Sequence, residues 1–237
     1  MTLDTAKPLA LIVGVGGATG NAVCTELAAN YRLAMVARSS MVIKSLAENF
    51  SEAIAYTCDV TNRETWISTL NTIKSEMGLP DYILINTEGG GWGDYTQIAV
   101  TDFSNSFEVN VVSLLTLVQT LFPNNASQAP CRIVINSSPA AYVSHPLFLG
   151  IAPSRAAQRV LAETLDAAMN HVDFSIVSID GAIDEPNMRN AYSQKPDEFF
   201  IKPAAIANQV RILFEQKVLD RSVTIRALGN SDGIQLS

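Results

Sequence analysis

The chain has little with which to hold a metal or grip a polyanion. Its three cysteines, Cys24, Cys58 and Cys131, fall singly inside regular-looking segments without paired metal-type spacing, so no metal site is expected. Lys plus Arg total 16 against 23 Asp plus Glu, and the formal charge of −7 repels nucleic acid and anionic membrane surfaces. Any phosphate that binds is therefore held locally. No apolar run approaches the roughly 20 residues that cross a bilayer. No leader precedes the first apolar run, so a reduced, soluble, cytoplasmic protein is expected. Repeats, low-complexity tracts and linkers are also missing. With 237 residues and 48% hydrophobic content the chain is long enough for one large α/β core, and 1–237 reads as a single domain.

What is present is an alternation. Short, β-branched, almost wholly apolar runs recur at Leu9–Val13, Leu33–Ala37, Ala53–Cys58, Tyr82–Asn86, Arg132–Asn136, Phe174–Ile179 and Val223–Leu228. Helical patterns, with apolar residues returning every three or four positions, fill most gaps, as at Asn21–Asn30, Asn62–Met77, Thr101–Phe122, Ser154–Asn170 and Pro203–Gln216. This order predicts an α/β fold: a doubly wound parallel sheet of about seven strands, buried on both faces by helices. Gly89–Gly93 and Asp184–Phe199 read as surface loops, the second placed where a lid could lie.

Ligands of such sheets bind beyond the carboxyl ends of the strands. After the first strand, Gly14, Gly17 and Gly20 fall three apart, with Ala18 and Thr19 between the last two, in a loop that opens a helix. Missing Cβ atoms allow a sharp turn and close approach of backbone N–H groups to a pyrophosphate; the same glycines also serve as plain turns. Arg38 and Ser39 follow the second strand, where a carboxylate is usual in proteins that bind a free ribose 2′-hydroxyl. Arg38 suits a 2′-phosphate or is a solvated surface arginine. Asp59, with Val60 after the third strand, accepts from an adenine amino group or caps the helix beginning near Asn62.

From end to end the chain resembles the short-chain dehydrogenase/reductase family, whose fold is Rossmann-type. The glycine loop, Ala37-Arg38-Ser39, Asp59-Val60 and Asn86-Thr87-Glu88-Gly89 stand at the family's cofactor positions. The resemblance implies a nicotinamide cofactor, NADP(H) rather than NAD(H), touched by Gly14, Gly17, Ala18, Thr19, Gly20, Arg38, Asp59, Val60, Asn86, Gly89 and Arg155. It places Asn110 where the family's asparagine holds a water and Ser138 where its catalytic serine ends the fifth strand. The family's tyrosine belongs thirteen residues beyond that serine and its lysine four further on; here these positions are Ile151 and Arg155, in a register also fixed by Ser154-Arg155-Ala156-Ala157. Downstream, Asp180-Gly181 replaces a Pro-Gly turn and Asp184 a threonine.

Ile151 has no proton to give, and Arg155 donates hydrogen bonds but cannot relay protons. Tyr142 and His145, in the loop after Ser138, are candidate substitute acids, as is Glu88 if desolvated. Three readings follow. The first is an atypical NADP(H)-dependent oxidoreductase whose substrate, such as a protonated imine, needs no protein acid. The others are an NADP(H)-binding sensor or partner subunit without turnover, and a scaffold that binds no nucleotide. The resemblance also implies a homodimer or homotetramer through the helices at Thr101–Phe122 and Ser154–Asn170.

Overall fold

The computed structural model describes residues 6–123, 130–217 and 219–227. In chain order the elements are β1 (Leu9–Val13), α1 (Ala18–Leu27), β2 (Arg32–Ala37), α2 (Ser40–Ala47), β3 (Ala53–Thr57), α3 (Arg63–Met77) and β4 (Tyr82–Ile85). Then come α4 (Val100–Phe107), α5 (Ser113–Leu121), β5 (Cys131–Ser137), α6 (Ala152–Ala168), β6 (Val172–Asp180), β7 (Ala182–Ile183), α7 (Pro186–Ala191), β8 (Phe200–Ile201), α8 (Pro203–Glu215) and β9 (Ser222–Arg226). Seven strands form one parallel sheet in the order β3-β2-β1-β4-β5-β6-β9, as the alternation predicts. Leu228, the expected end of the last strand, lies outside the described residues.

Strand periodicity divides the core into two layers. Leu9, Leu11 and Val13 of β1 turn to one face, where Trp66 and Leu70 of α3 and Leu114 and Leu117 of α5 cover them. Ala10 and Ile12 turn to the other, against Val23 and Leu27 of α1 and Val210 and Phe214 of α8. Each large aliphatic side chain so buried contributes about 1.5–3 kcal/mol. β1 grows first through β2 to β3 and then, on its other side, through β4. The strand order therefore reverses between β1 and β4, and the crevice above their carboxyl ends is where a ligand fits.

Three elements differ from the sequence expectation. α1 begins at Ala18 instead of Asn21, because extended Gly17 acts as its N-cap and Gly20 lets the first turn lie on Gly14 and Val15. Thr101–Phe122 is not one α-helix: a π-turn over Glu108–Val112 separates α4 from α5. Asp184–Phe199 carries α7 and a 3-10 turn, and β7 and β8 pair on either side of it as a second, two-stranded parallel sheet. Charge holds this excursion together. Asp184 takes a bidentate pair from Arg189 and an ammonium from Lys202, Arg189 also reaches Asp197, and its guanidinium stacks on Phe200. Gly89–Gly93 is a loop as expected, exposed at Gly90 and Trp92 and anchored by buried Gly89 and Gly93. Among the described residues no helix is long and apolar enough to cross a membrane. The three thiols are free and buried, and burial raises all three; Cys24 is pushed up to about 12.

Candidate active site

A cleft of about 840 Å³ opens at the β1/β4 switch point, walled by the segments that follow β1, β2, β3 and β4 and by Asn105 and Val109. Gly14 sits at φ +96°, and a Cβ there would lie 2.7 Å from the Asn86 carbonyl; only glycine lets the two strand ends approach this closely. Its N–H donates to the Val36 carbonyl, and its own carbonyl accepts from the Asn86 amide at 2.9 Å. Above Gly16 and Gly17 a Cβ would meet nothing within 4 Å. The turn is thus tight underneath and open on top. Ala18, Thr19 and Gly20 form the first turn of α1 and offer backbone N–H groups, whereas the Thr19 side chain is buried. Gly20 serves packing, its missing Cβ leaving room for the Gly14 carbonyl and Val15 Cα at 3.0 Å.

Arg38, Asp59 and Val60 line the cleft together with Ser39. Asp59 does not cap α3. Asn62 does so, by accepting from the Thr65 N–H at 3.1 Å. Asp59 Oδ1 instead accepts from the Thr61 N–H and hydroxyl. Burial pushes its carboxyl upward, but those two bonds and the Arg38 charge outweigh this and leave it below the usual carboxylate range.

The other half of the predicted site is arranged differently. Asn110 is wholly buried in the π-turn, and its amide clamps Gly89 from both sides, accepting from its N–H and donating to its carbonyl. It also donates to Ser154 Oγ at 2.9 Å. Those bonds make Asn110 a strut between the segment after β4 and α6. Ser138 is half-buried one residue beyond β5. Ile151 is 5% exposed, packed with Ala140 and Phe148 in a small apolar cluster. Tyr142 is not brought to the cleft. It is 49% exposed, its ring lies under the Arg159 guanidinium and its hydroxyl pairs with Ser222 of β9, so the expected substitute acid is turned elsewhere. His145 accepts from the Leu147 N–H, while Glu88 is exposed on the cleft wall.

Arg155 is 4% exposed and has no carboxylate within ion-pair distance among the described residues. Its Nη1 donates to the Asn136 carbonyl at 3.1 Å and to Gln158 Oε1 at 2.9 Å, and its Nη2 to the Thr87 carbonyl at 3.2 Å. Burial lowers its affinity for the proton, and the negative charge of Glu88 opposes this. Asn136 in turn donates to Asn86 Oδ1, so a chain of bonds runs from the glycine turn through Asn86 and Asn136 to Arg155. Arg155 Nε, Gln158 Nε2, Asn136 Oδ1 and Thr87 Oγ1 are buried without a hydrogen-bond partner among the described residues. Sequence reasoning missed Asn136 and Gln158. A polar residue closing an apolar strand and a glutamine three residues after Arg155 on one helix face were the available signals.

A family model described as "short chain dehydrogenase" matches residues 8–197. The chain belongs to the short chain dehydrogenase family. Among curated proteins, this family member is 25% identical over 161 residues to the 7alpha-hydroxysteroid dehydrogenase of Escherichia coli K12, a stretch that covers 66% of the chain but only 63% of that relative. Among solved structures it superimposes, at TM-score 0.83 and 22% identity, on an alcohol dehydrogenase from the archaeon Thermococcus sibiricus complexed with 5-hydroxy-NADP, covering 94% of this chain and 97% of that one. A 7 alpha-hydroxysteroid dehydrogenase complexed with NADH and 7-oxo glycochenodeoxycholic acid gives TM-score 0.83 at 20% identity, over 97% and 95% of the two chains. At these identities the likeness is one of fold.

Proposed function

We propose that this short chain dehydrogenase binds NADP(H) in the β1/β4 cleft and acts as an oxidoreductase that works without the family's tyrosine acid. The observation that carries the reading is the cradle: a cleft of dinucleotide-compatible size, open above Gly16 and Gly17, with α1 starting at its edge and Arg38 in its wall. When bound, the cofactor supplies or accepts the hydride. The N–H groups at the start of α1 hold pyrophosphate oxygens, and the helix dipole favours the negative charge there. Arg38, with no carboxylate beside it in Ala37-Arg38-Ser39, takes a 2′-phosphate through its planar fork of donors. Of the two solved structures described above, one holds 5-hydroxy-NADP and the other NADH, so the preference for NADP(H) rests on Arg38.

At the reacting end, Ile151 and Arg155 stand in this reading where the family has its proton donor and its lysine. Ser138 orients the substrate, Asn110 acts as a positioning residue through Gly89, and Arg155 holds its charge toward the second ribose. A missing general acid costs about 100- to 10,000-fold with a neutral ketone. A protonated imine already carries the positive charge that hydride neutralises, and the Glu88 carboxylate on the cleft wall favours such a cation. The test is NADPH consumption, followed by absorbance, with matched cyclic imines and ketones. Imines are expected to turn over at least about 100-fold faster than ketones, and Arg38→Ala to erase the preference for NADPH over NADH. No consumption with any substrate refutes the reading.

Homo-oligomer formation is part of the same proposal. Leu114 and Val118 of α5 are spent on the sheet, but Leu115 of α5 and Val160 of α6 face outward and are available to a second copy.

A further inference from the structure

The charged residues in the lining of the cleft are Arg38, Asp59 and Glu88. Arg38 and Asp59 stand close enough for their opposite charges to interact, and they follow β2 and β3 at one end of the cleft. Glu88 stands apart from them. It follows β4, and in the strand order β3-β2-β1-β4-β5 that puts it across the glycine turn from Arg38. Its side chain is exposed, and among the described residues its carboxylate has no ion pair within bonding distance. The backbone beneath it is seated. Asn110 clamps Gly89 from both sides, and a Cβ on Gly89 would lie 2.6 Å from Val109 Cβ. The charge of Glu88 reaches Arg155, which ties it to the end of the site that Arg155 occupies. The cleft thus carries an offset pair of charges at one end and a lone carboxylate at the other. In a nicotinamide dinucleotide such a carboxylate repels every charged group but one, the pyridinium ring of the oxidised form. The reduced ring is neutral.

We propose that Glu88 tilts the cleft toward the oxidised coenzyme, NADP+, over NADPH. Arg38 and Asp59, on the far side of the glycine turn, act on both forms alike. By linkage, a site tilted in this way makes the bound reduced ring a better hydride donor: the hydride leaves ring carbon C4 with its electron pair for the iminium carbon, and the ring is left with the positive charge that Glu88 favours. This rests on the NADP(H) reading above and adds to it which redox form the protein's own charge selects.

The experiment measures, by calorimetry, Kd for NADP+ and for NADPH. The proteins are the wild type, Glu88→Gln, which removes the charge and keeps the shape, and Asp59→Asn, which removes the other carboxylate of the cleft wall. The quantity read is the ratio of Kd for NADPH to Kd for NADP+, in which effects common to both forms cancel. Glu88→Gln is expected to lower this ratio at least about threefold. Asp59→Asn is expected to move both affinities together and leave the ratio within about twofold. In the wild type the ratio is also expected to fall as salt rises from about 0.01 M to about 1 M, over which the Debye length shrinks from about 30 Å to about 3 Å. A smaller change in Glu88→Gln, with both forms bound, overturns the inference and leaves the cofactor reading standing. An equal fall in Asp59→Asn does the same, since the preference then belongs to the net charge of the cleft. A wild-type ratio that ignores salt overturns the inference even if a variant does not fold. Failure of the wild type to bind either form overturns both.

Discussion

If Ile151 and Arg155 stand where the family has its tyrosine and lysine, as proposed, then Ile151→Tyr with Arg155→Lys is the obvious attempt to create a ketone reductase, and the structure predicts that it damages the protein instead. The Ile151 side chain fills an apolar cluster with Ala140 and Phe148, and Gly90 lies against its Cα. A tyrosine ring there overpacks the cluster, which costs about 1–3 kcal/mol. At Arg155 the guanidinium spans three acceptors, and a lysine ammonium at the end of a shorter, unforked chain cannot reach the Thr87 and Asn136 carbonyls and Gln158 at once. Losing one such charged bond costs about 1.5–3 kcal/mol. The sum, about 2.5–6 kcal/mol, is a large part of the roughly 5–15 kcal/mol that holds a domain folded. The two positions share a helix face, so the sum is approximate. At about 2–4 °C per kcal/mol the melting temperature is expected to fall by at least about 5 °C, with no ketone reduction gained. Thermal unfolding followed by circular dichroism, beside an NADPH assay, makes the measurement. A double variant that melts within about 2 °C of the wild type, or that reduces ketones, refutes the packing argument.

Two further outcomes are expected. Asp184 is held well below the usual carboxylate range by hydrogen bonds from Arg189 and Lys202. A lowered folded pKa gives stability that is complete above the unfolded value, about 3.9, and is lost as pH falls below it. Asp184→Asn should therefore melt below the wild type at pH 7, with the gap narrowing progressively as the pH falls below about 4; a gap that is constant with pH excludes the ionic origin. Val160→Glu with Leu115→Glu is expected to convert a dimer or tetramer to monomers in light scattering, and unchanged mass excludes that face as the interface.

The fold was legible because its signals are local and repeated. Strands such as Leu9–Val13 and Leu33–Ala37 are apolar on both faces, which only a sheet covered on both sides explains, and the glycine turn marks the first carboxyl end without help from any other segment. The reacting half was harder to read because its geometry is set by contacts between distant segments. Tyr142 looked like an acid by position, but Arg159 and Ser222, from other elements, turn it outward. The contact of Gly90 with Gly150 spans 60 positions and leaves no pattern in either segment. Asp184–Phe199 read as a loop from its Asn, Pro and charge content, because the ion pairs that order it leave no periodicity.

The π-turn has a consequence for tolerated lengths of the chain. It places one extra backbone position between α4 and α5, so the two helices are out of step. Deleting one residue in Glu108–Val112 would restore regular winding and leave Leu114 and Leu117 on the sheet, because a π-turn takes about one residue more than an α-turn over nearly the same rotation. What it would remove is the widened turn that carries Asn110 to Gly89. The extra position thus serves the Asn110 strut, and the packing of the two helices on the sheet does not depend on it.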